Sequence, residues 1–270
     1  MTKLKVGIIG CGTIGSEIAK ACRERLSDRI ELTGICDIDE KKAASLNKAL
    51  KPKVPVLKLD DLIKKSGIIV EAASAKVSAQ VLEKCVKAGK GCLVMSVGGL
   101  LGREDLLKKA EAKAVKVYIP SGALSGIDGL KSAAAGRIDS VTLTTRKPPK
   151  GLEGAPFIIQ KGIVLSDIKE ETVIFEGSAA EAVKGFPQNV NVSAVLSLAG
   201  IGARKTQVKI VSSPSYTANI HEVEIKGEFG RITTKAENLP SGTNPKTSAL
   251  AIFSAVATLE GIAKSVHIGT

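Results

Sequence analysis

Along the first half of the chain, the hydrophobic pattern changes period at short, regular intervals. Residues 3–9 are a near-continuous apolar run of β type, which suits a central strand buried on both faces. From Thr13 to about Leu26, Ile14, Ile18, Ala19 and Cys22 recur at helical spacing. IELTGIC reads as a second strand, and DIDEKKAASLNKAL as a helix opening on acidic residues. The alternation continues through LDDLIKKS (helix), GIIVEAAS (strand and loop), AKVSAQVLEKCVKAG (helix), KGCLVMS (strand), REDLLKKAEAKA (helix) and VKVYIP (strand). Strands alternating with helices over short connections predict an α/β fold with a parallel, doubly wound sheet.

The rhythm then changes. SGALSGIDGLKSAAAG predicts a helix, and it is followed by the strand-like SVTLTTR and a Pro/Gly-rich stretch, KPPKGLEGAP. TQVKIVSS, SYTANIHEVEIKGEF and GRITTKAEN alternate with period two, as half-buried antiparallel strands do. NPKTSALAIFSAVATLEGIAKSV predicts a long apolar helix. The expected organisation is a first domain over 1–122, an α+β substrate and dimerisation domain over 123–244, and a helix over 245–270 that returns to the first domain. No internal repeat or low-complexity tract interrupts this plan.

Composition narrows the picture. At 44% hydrophobic and 24% charged residues, the chain has both a core and a solvated surface. No apolar run approaches the ~20 residues of a membrane-spanning helix. The start, MTKLKVGIIGCG, passes from lysines straight into a strand without an apolar signal segment, so a cytoplasmic location is expected. A net charge of +12 raises the question of nucleic acid. The lysines, however, are scattered over predicted helices, and 3% aromatic content without tryptophan leaves little for base stacking. Steering of small anions toward a cleft fits the charge better, and no nucleic-acid or membrane partner is expected. The cysteines, Cys11, Cys22, Cys36, Cys85 and Cys92, are odd in number, show no C-x-x-C spacing and have only two histidines to join them. Reduced, buried thiols are expected, with no disulfide framework and no metal site.

Gly10-Cys11-Gly12-Thr13-Ile14-Gly15 fits G-x-G-x-x-G, and its context distinguishes it from a chance glycine turn: it follows a buried strand and opens an amphipathic helix. The first glycine permits the tight turn, the second lets a pyrophosphate approach the backbone, and the third allows close helix–strand contact. Asp37, at the end of the second strand, is placed to accept hydrogen bonds from ribose hydroxyls. The first domain therefore reads as a Rossmann dinucleotide-binding domain, with Gly10, Gly12, Thr13, Ile14, Gly15 and Asp37 as cofactor-binding candidates. Asp37 repels a 2′-phosphate and favours NAD; Lys41 and Lys42 partly offset it, so NADP stays open as the alternative. Glu71-Ala72-Ala73-Ser74 and Ser96-Val97-Gly98-Gly99 are candidate loops completing the cofactor crevice, Ala72, Ala73 and Ser74 being the small residues that allow close approach; ordinary tight turns are the other reading.

A hydride transfer from a carbon bearing nitrogen or oxygen needs a group to manage the accompanying proton, and histidine suits this. Period-two alternation puts Thr217, Asn219, His221, Val223 and Ile225 on one face, with Ile220, Glu222, Glu224 and Lys226 on the wetter one. His221 thus points inward, as a candidate catalytic group or as a satisfied core histidine. His267 reads as structural or exposed. No cysteine follows Cys92, so thioester chemistry is disfavoured and direct hydride transfer from an amine or alcohol remains. Thr145-Arg146-Lys147 and Asn244-Pro245-Lys246-Thr247-Ser248 are anion-binding candidates. The second would sit at a helix N-terminus, either holding a carboxylate or merely capping the helix. Asn191, Asn244, Lys246 and Thr247 are the candidate substrate-binding residues.

Across nearly its whole length the chain resembles the L-aspartate dehydrogenases linked to NAD biosynthesis. The marks are VGIIGCGTIGSEIA, VEAAS, SVGGLLG, SGALSGIDGL, TTRKPP, FEGSAAEAVKGFPQNVNVSAVLSLAG, ANIHEVE and NPKTSALAIFSA. The second glycine of SVGGLLG varies in that family. The resemblance implies oxidation of L-aspartate to iminoaspartate with NAD or NADP, the imine feeding quinolinate synthesis or hydrolysing to oxaloacetate and ammonia. It also implies that the histidine matching His221 is the active-site residue. Ala123 and Asn189 match residues that contact the nicotinamide cofactor. A homodimer or larger assembly is expected by analogy. The alternatives are a related two-domain enzyme, of the homoserine dehydrogenase or dihydrodipicolinate reductase kind, and a sensor that holds NAD without chemistry.

Overall fold

The computed structural model describes residues 2–187, 190–242 and 244–269. The chain forms two compact units, Met1–Pro120 with Ile252–His267, and Ser121–Ala251 with Ile268–Thr270.

In the first unit, β1 (Leu4–Ile9) leads through the glycine loop into α1 (Thr13–Arg23), followed by β2 (Ile30–Cys36), α2 (Glu40–Ala49), α3 (Leu59–Lys65) and β3 (Ile68–Glu71). Then come α4 (Ala75–Lys87), β4 (Gly91–Val94), a 3-10 turn over Val97–Leu100, α5 (Asp105–Ala112) and β5 (Val117–Tyr118). The strands lie in the order β2-β1-β3-β4-β5 and every pair is parallel. Chain order reverses between β1 and β3, and in open α/β sheets ligands bind at the carboxyl ends of strands at such a switch point. An isolated parallel bridge, Val56 to Ile35, adds a rudimentary strand outside β2. β1 is apolar on both sides because both are covered: Ile8 on one face is 0% and Ile9 on the other 6% exposed, each worth ~1.5–3 kcal/mol of apolar burial. The α1 stripe of Ile18, Ala19 and Cys22 packs in the same core.

The second unit holds α6 (Ile127–Ala133), β6 (Ile138–Lys147), α7 (Pro156–Gln160), β7 (Thr172–Ser178), α8 (Ala179–Gly185), α9 (Val190–Ala199), β8 (Gln207–Ser212), β9 (Asn219–Gly227) and β10 (Gly230–Asn238). A short hairpin of β11 (Pro240–Ser241) and β12 (Asn244–Ser248) follows, and α10 (Ala249–Ile262) runs from this unit into the first. The main sheet has the order β10-β9-β6-β8-β7. Val141 and Leu143 of β6, Val208 and Ile210 of β8, and Val223 and Ile225 of β9 join a core with Leu130, Phe186 and Leu196. Phe157, Phe175 and Phe186 form an aromatic cluster with centroids 5.3–5.5 Å apart.

Several expectations are corrected. The second sheet is mixed rather than antiparallel, because β6 and β8 run parallel. β7, α8 and α9 fill the block from Phe175 to Gly200, where periodicity was uninformative because α9 is apolar on nearly every side. The helix expected over SGALSGIDGLKSAAAG starts only at Ile127, since Gly122 and Gly126 take positive φ of 66° and 86° and break the turn. The helix expected over 245–270 begins at Ala249 and ends at Ile262. Asn244, Lys246 and Thr247 lie instead in β12, which pairs with Pro240–Ser241, so they are not at a helix N-terminus. From Ala255 onward the helix prediction fits: Ala255, Val256 and Leu259 are buried in the first unit's core.

Candidate active site

The glycine loop sits at the switch point. Gly10 has φ 95°, and a Cβ there would lie 2.4 Å from the Ala72 carbonyl oxygen, so the loop after β1 rests directly on the loop after β3. A Cβ on Gly15 would lie 1.8 Å from the Gly10 oxygen, which is the close helix–turn contact that excludes any side chain. At Gly12 a Cβ would meet nothing within 4 Å: that glycine faces open space. It also serves as the N-cap of α1 without a side-chain cap, and the first turn carries no acidic residue to compete for an anion. Asp37 reaches across from the end of β2. One carboxylate oxygen accepts from Cys11 N–H at 2.6 Å and the other from Asp39 N–H at 2.8 Å. Asp39, two residues on, does a different job, capping α2 by accepting from Lys41 and Lys42 N–H. These features fit a dinucleotide: a bare backbone for a pyrophosphate, an uncapped helix N-terminus and a carboxylate beside it.

Glu71, which opens the first of the candidate loops, organises both of them. Its carboxylate is fully buried, accepting from Ala73 N–H at 2.9 Å and Ser96 N–H at 3.0 Å. Burial raises its pKa while those hydrogen bonds oppose the rise. The candidate loops Ala72-Ala73-Ser74 and Ser96-Val97-Gly98-Gly99 are thereby tied to one anchor. Ala73 and Ser74 remain exposed, and Thr13 and Ile14 are half-buried beside Gly12.

In the second unit His221 points inward as its alternation predicts, 7% exposed, between the register partners Thr145 on β6 and Ala236 on β10. Its Nδ1 shares a hydrogen bond with Thr145 Oγ1 at 3.0 Å. Burial, and then the charge of Lys147, bring the imidazole pKa down to about 4, so the ring is neutral at pH 7. Lys147 is 5% exposed, and burial lowers its pKa to about 8. Thr145 and Lys147 occupy the inner face of β6, whereas Arg146 between them faces outward and pairs with Glu222 at 3.0 Å. Spacing had offered all three as anion ligands; the pleat divides them. Thr145, Lys147 and Ser193 also line a cavity of about 10 Å³, roughly one water in size and too small to seat a substrate.

The remaining candidates are dispersed. Ala123 is buried, and its carbonyl accepts from Asn238 Nδ2 at 3.0 Å; Ser248 Oγ donates to Asn238 Oδ1 at 2.9 Å. Asn238 thus fixes the Ala123 loop, a role that a polar residue closing a strand did not announce. Asn189 lies outside the described residues. Asn191 is exposed near the start of α9, and Asn244 N–H donates to Ser241 Oγ at 3.1 Å. His267 is exposed. The cysteines are free thiols; burial first, and the neighbouring Asp37 second, push Cys11 up to about 12, while burial alone takes Cys22 to about 12. Neither is a thiolate nucleophile at neutral pH.

Comparison with known proteins agrees with this geometry. Residues 128–262 match the family model described as aspartate dehydrogenase, C-terminal. Residues 10–120 match the one described as homoserine dehydrogenase, NAD binding domain. An L-aspartate dehydrogenase of Methanosarcina mazei is 49% identical, with 99% of this chain and 100% of the relative covered. The chain belongs to the aspartate dehydrogenase family. A more distant relative in it, the L-aspartate dehydrogenase of Bradyrhizobium diazoefficiens, is 38% identical over 100% of this chain and 95% of its own. The crystal structure of aspartate dehydrogenase from Thermotoga maritima superposes with a TM-score of 0.74 at 28% identity, covering 99% of this chain and all of that one. A homoserine dehydrogenase from Thiobacillus denitrificans shares the fold, with a TM-score of 0.64 at 14% identity, 97% of this chain and 74% of that one being covered. Among the described residues, no helix is long and apolar enough to cross a membrane, and no group of side chains has the makings of a metal site.

Proposed function

We propose that the chain oxidises L-aspartate to iminoaspartate with NAD, using His221 as the proton-handling group. Family membership supplies the substrate. The observation that carries the chemistry is a buried, neutral imidazole pinned by Thr145 on the face that also presents Lys147. NAD, when bound, supplies the hydride acceptor. Gly10, Gly12, Thr13, Ile14, Gly15 and Asp37 would hold it, with Ala72, Ala73 and Ser74 beside them.

Starting from the ammonium, oxidation removes a hydride from Cα and one proton from nitrogen, giving the protonated imine; water then releases oxaloacetate and ammonium. In the tautomer where Nδ1–H donates to Thr145 Oγ1, His221 Nε2 keeps a lone pair for the substrate ammonium proton. A pKa near 4 makes the unliganded ring a weak base. A dicarboxylate adds negative charge that favours imidazolium and raises its basicity only when substrate is bound. Asn191, Asn244, Lys246 and Thr247 remain the polar candidates for further substrate contacts.

The reading extends to a cytoplasmic homodimer or larger assembly that feeds NAD biosynthesis, with NADP as a secondary cofactor. The homoserine dehydrogenase alternative shares the cofactor half, but the match over residues 128–262 favours aspartate. The test is an amino-acid panel with NAD and NADP, followed by nicotinamide absorbance, together with light scattering for assembly. Aspartate should be turned over and homoserine not; inactivity with aspartate in both directions rejects the reading, and tight NADH binding without turnover would favour a sensor.

A further inference from the structure

We infer that the first unit carries a second anion site, for a linear oligophosphate, at the end of its sheet opposite the glycine loop. A recess of about 580 Å³ opens to solvent there, within the size range of small-molecule sites. Six cations line it: Lys3 and Lys5 at the start of β1, Arg29 just before β2, Lys64 and Lys65 at the end of α3, and Lys90 just before β4. Ser66 and Gly67, leading into β3, complete the wall, so the recess follows the amino ends of neighbouring strands in the order β2-β1-β3-β4. β1 is 6 residues long, which puts the recess roughly 20 Å from the glycine loop at the strand's other end.

Helix ends do not account for this cluster. Lysines in a last turn offset the helix dipole, which explains Lys64 and Lys65 on α3. Lys3 and Lys5 instead flank the first residue of a strand, and Lys90 stands between a helix and a strand. Among the described residues, Lys5, Lys64, Lys65 and Lys90 have no carboxylate partner, whereas Lys20, Lys84, Lys87 and Lys109 of the same unit are each paired. Lys3 Nζ donates to the Ser27 carbonyl at 2.6 Å and Arg29 pairs with Asp28 at 3.2 Å, which holds both at the rim. Glu31, the register partner of Lys5, stands nearby, but neither it nor Asp28 is part of the wall. A concave surface of one sign focuses its field on whatever enters, and a multiply charged anion relieves the repulsion among the cations.

The wall also says which anion. It contains no aromatic residue, so it offers no platform on which a base could stack, and the phosphate chain itself is what it recognises. Cations gathered in one recess suit a short, dense chain of charge, whereas a single carboxylate or a dinucleotide's pyrophosphate would engage only some of them. Leu4, Ile262 and Ala263 form the apolar part of the wall, and all three pack on the first unit's core. An anion held between the start of β1 and the end of α3 therefore braces the last turn of α10. Occupancy stabilises the folded first unit and leaves the glycine loop free for the cofactor.

The experiment compares wild type with the double variant Lys64→Gln/Lys65→Gln and with Lys161→Gln/Lys205→Gln, which removes the same charge from exposed positions of the second unit. Tripolyphosphate, ATP, adenosine and a short single-stranded RNA are titrated calorimetrically at constant ionic strength without divalent metal. Thermal unfolding and NADH fluorescence are measured with and without tripolyphosphate. Wild type should bind one tripolyphosphate with a Kd below about 100 µM, more weakly as salt is raised, and should not bind adenosine. At about 100 times that Kd its melting temperature should rise by ~5 °C or more, with NADH affinity unchanged. K64Q/K65Q should weaken tripolyphosphate at least tenfold and keep wild-type NADH affinity, while K161Q/K205Q stays within threefold of wild type in both. ATP binding as tightly as tripolyphosphate supports the bare chain as the recognised group, and tighter ATP binding supports a nucleotide's triphosphate tail in the same recess. A Kd weaker than about 1 mM, equal losses in the two double variants, displacement of NADH, or tighter binding of RNA at equal phosphate concentration would each overturn the inference. Should K64Q/K65Q not fold, Lys5→Gln and Lys90→Gln decide in its place: at least a threefold loss in each supports the site, and wild-type affinity in both overturns it.

Discussion

Two glycines three residues apart should fail in opposite ways when given the same methyl group. At Gly15 the added Cβ would fall 1.8 Å from the Gly10 carbonyl oxygen and 3.0 Å from its carbon, both backbone atoms that cannot swing aside. Overpacking typically costs ~1–3 kcal/mol, and a backbone collision belongs at or above the top of that range. At about 2–4 °C per kcal/mol for a chain of this size, Gly15→Ala should melt at least ~6 °C lower without cofactor. At Gly12 the same Cβ meets nothing within 4 Å. The change at an N-cap glycine then costs about 1 kcal/mol or less. The open space is, however, where the pyrophosphate must approach, so Gly12→Ala should weaken NADH at least tenfold, or about 1.4 kcal/mol. The assays are thermal unfolding of the cofactor-free protein and fluorescence titration of NADH at constant salt. A Gly12→Ala protein with wild-type NADH affinity would refute the assignment of that space to the cofactor. A Gly15→Ala protein melting with wild type would refute the packing argument.

Three further predictions follow from the same geometry. His221→Ala should lose most of kcat while NADH affinity is preserved; unchanged kcat would remove the histidine from the mechanism. Because His221 titrates near 4 folded and about 6.5 unfolded, the unfolded chain takes the proton first as pH falls. This group should therefore cost up to about 3 kcal/mol of stability between pH 6.5 and 4, seen in urea titrations as a shallower acid limb in His221→Asn. Glu71→Gln replaces one acceptor oxygen with an NH2 group that cannot accept from Ala73 or Ser96 N–H. It should cost ~1–3 kcal/mol and weaken NADH together, whereas wild-type NADH affinity would separate that anchor from the cofactor loops.

The first unit was legible because each of its elements carries a local signature: a buried β run, a helical stripe, a glycine turn that only glycine can make. Gly15 and Asp37 could be read from spacing since their partners, Gly10 and Cys11, lie in the same βαβ unit. The second unit was less legible for two physical reasons. Period two fixes which face a side chain takes, and so placed His221 correctly, but it says nothing about strand direction, hence the missed parallel pairing of β6 with β8. Nor does sequence price burial: Lys147 and Arg146 look alike in TTRKPP, and only the pleat tells the core cation from the surface one. Asn244, Lys246 and Thr247 were misplaced because a proline before an apolar run marks a helix start as well as a hairpin strand. Glu71 stood in a candidate loop, but its bond to Ser96 N–H did not show, nor did that of Asn238 to the Ala123 carbonyl, because those partners lie in distant loops.

The last helix gives the molecule an order of assembly. Ala255, Val256 and Leu259 complete a core whose other members come from residues 6–95. On the ribosome, the amino-terminal sheet is synthesised first yet cannot close until the far end of the chain emerges. At ~5–20 residues per second, that is a wait of roughly ten to thirty seconds with apolar sheet surface uncovered. The second unit, contiguous apart from its final residues, has its sequence in hand sooner. The fold that begins the chain is therefore the last to be finished, and a ribosome that stops short of Leu259 releases a glycine loop without a completed core beneath it.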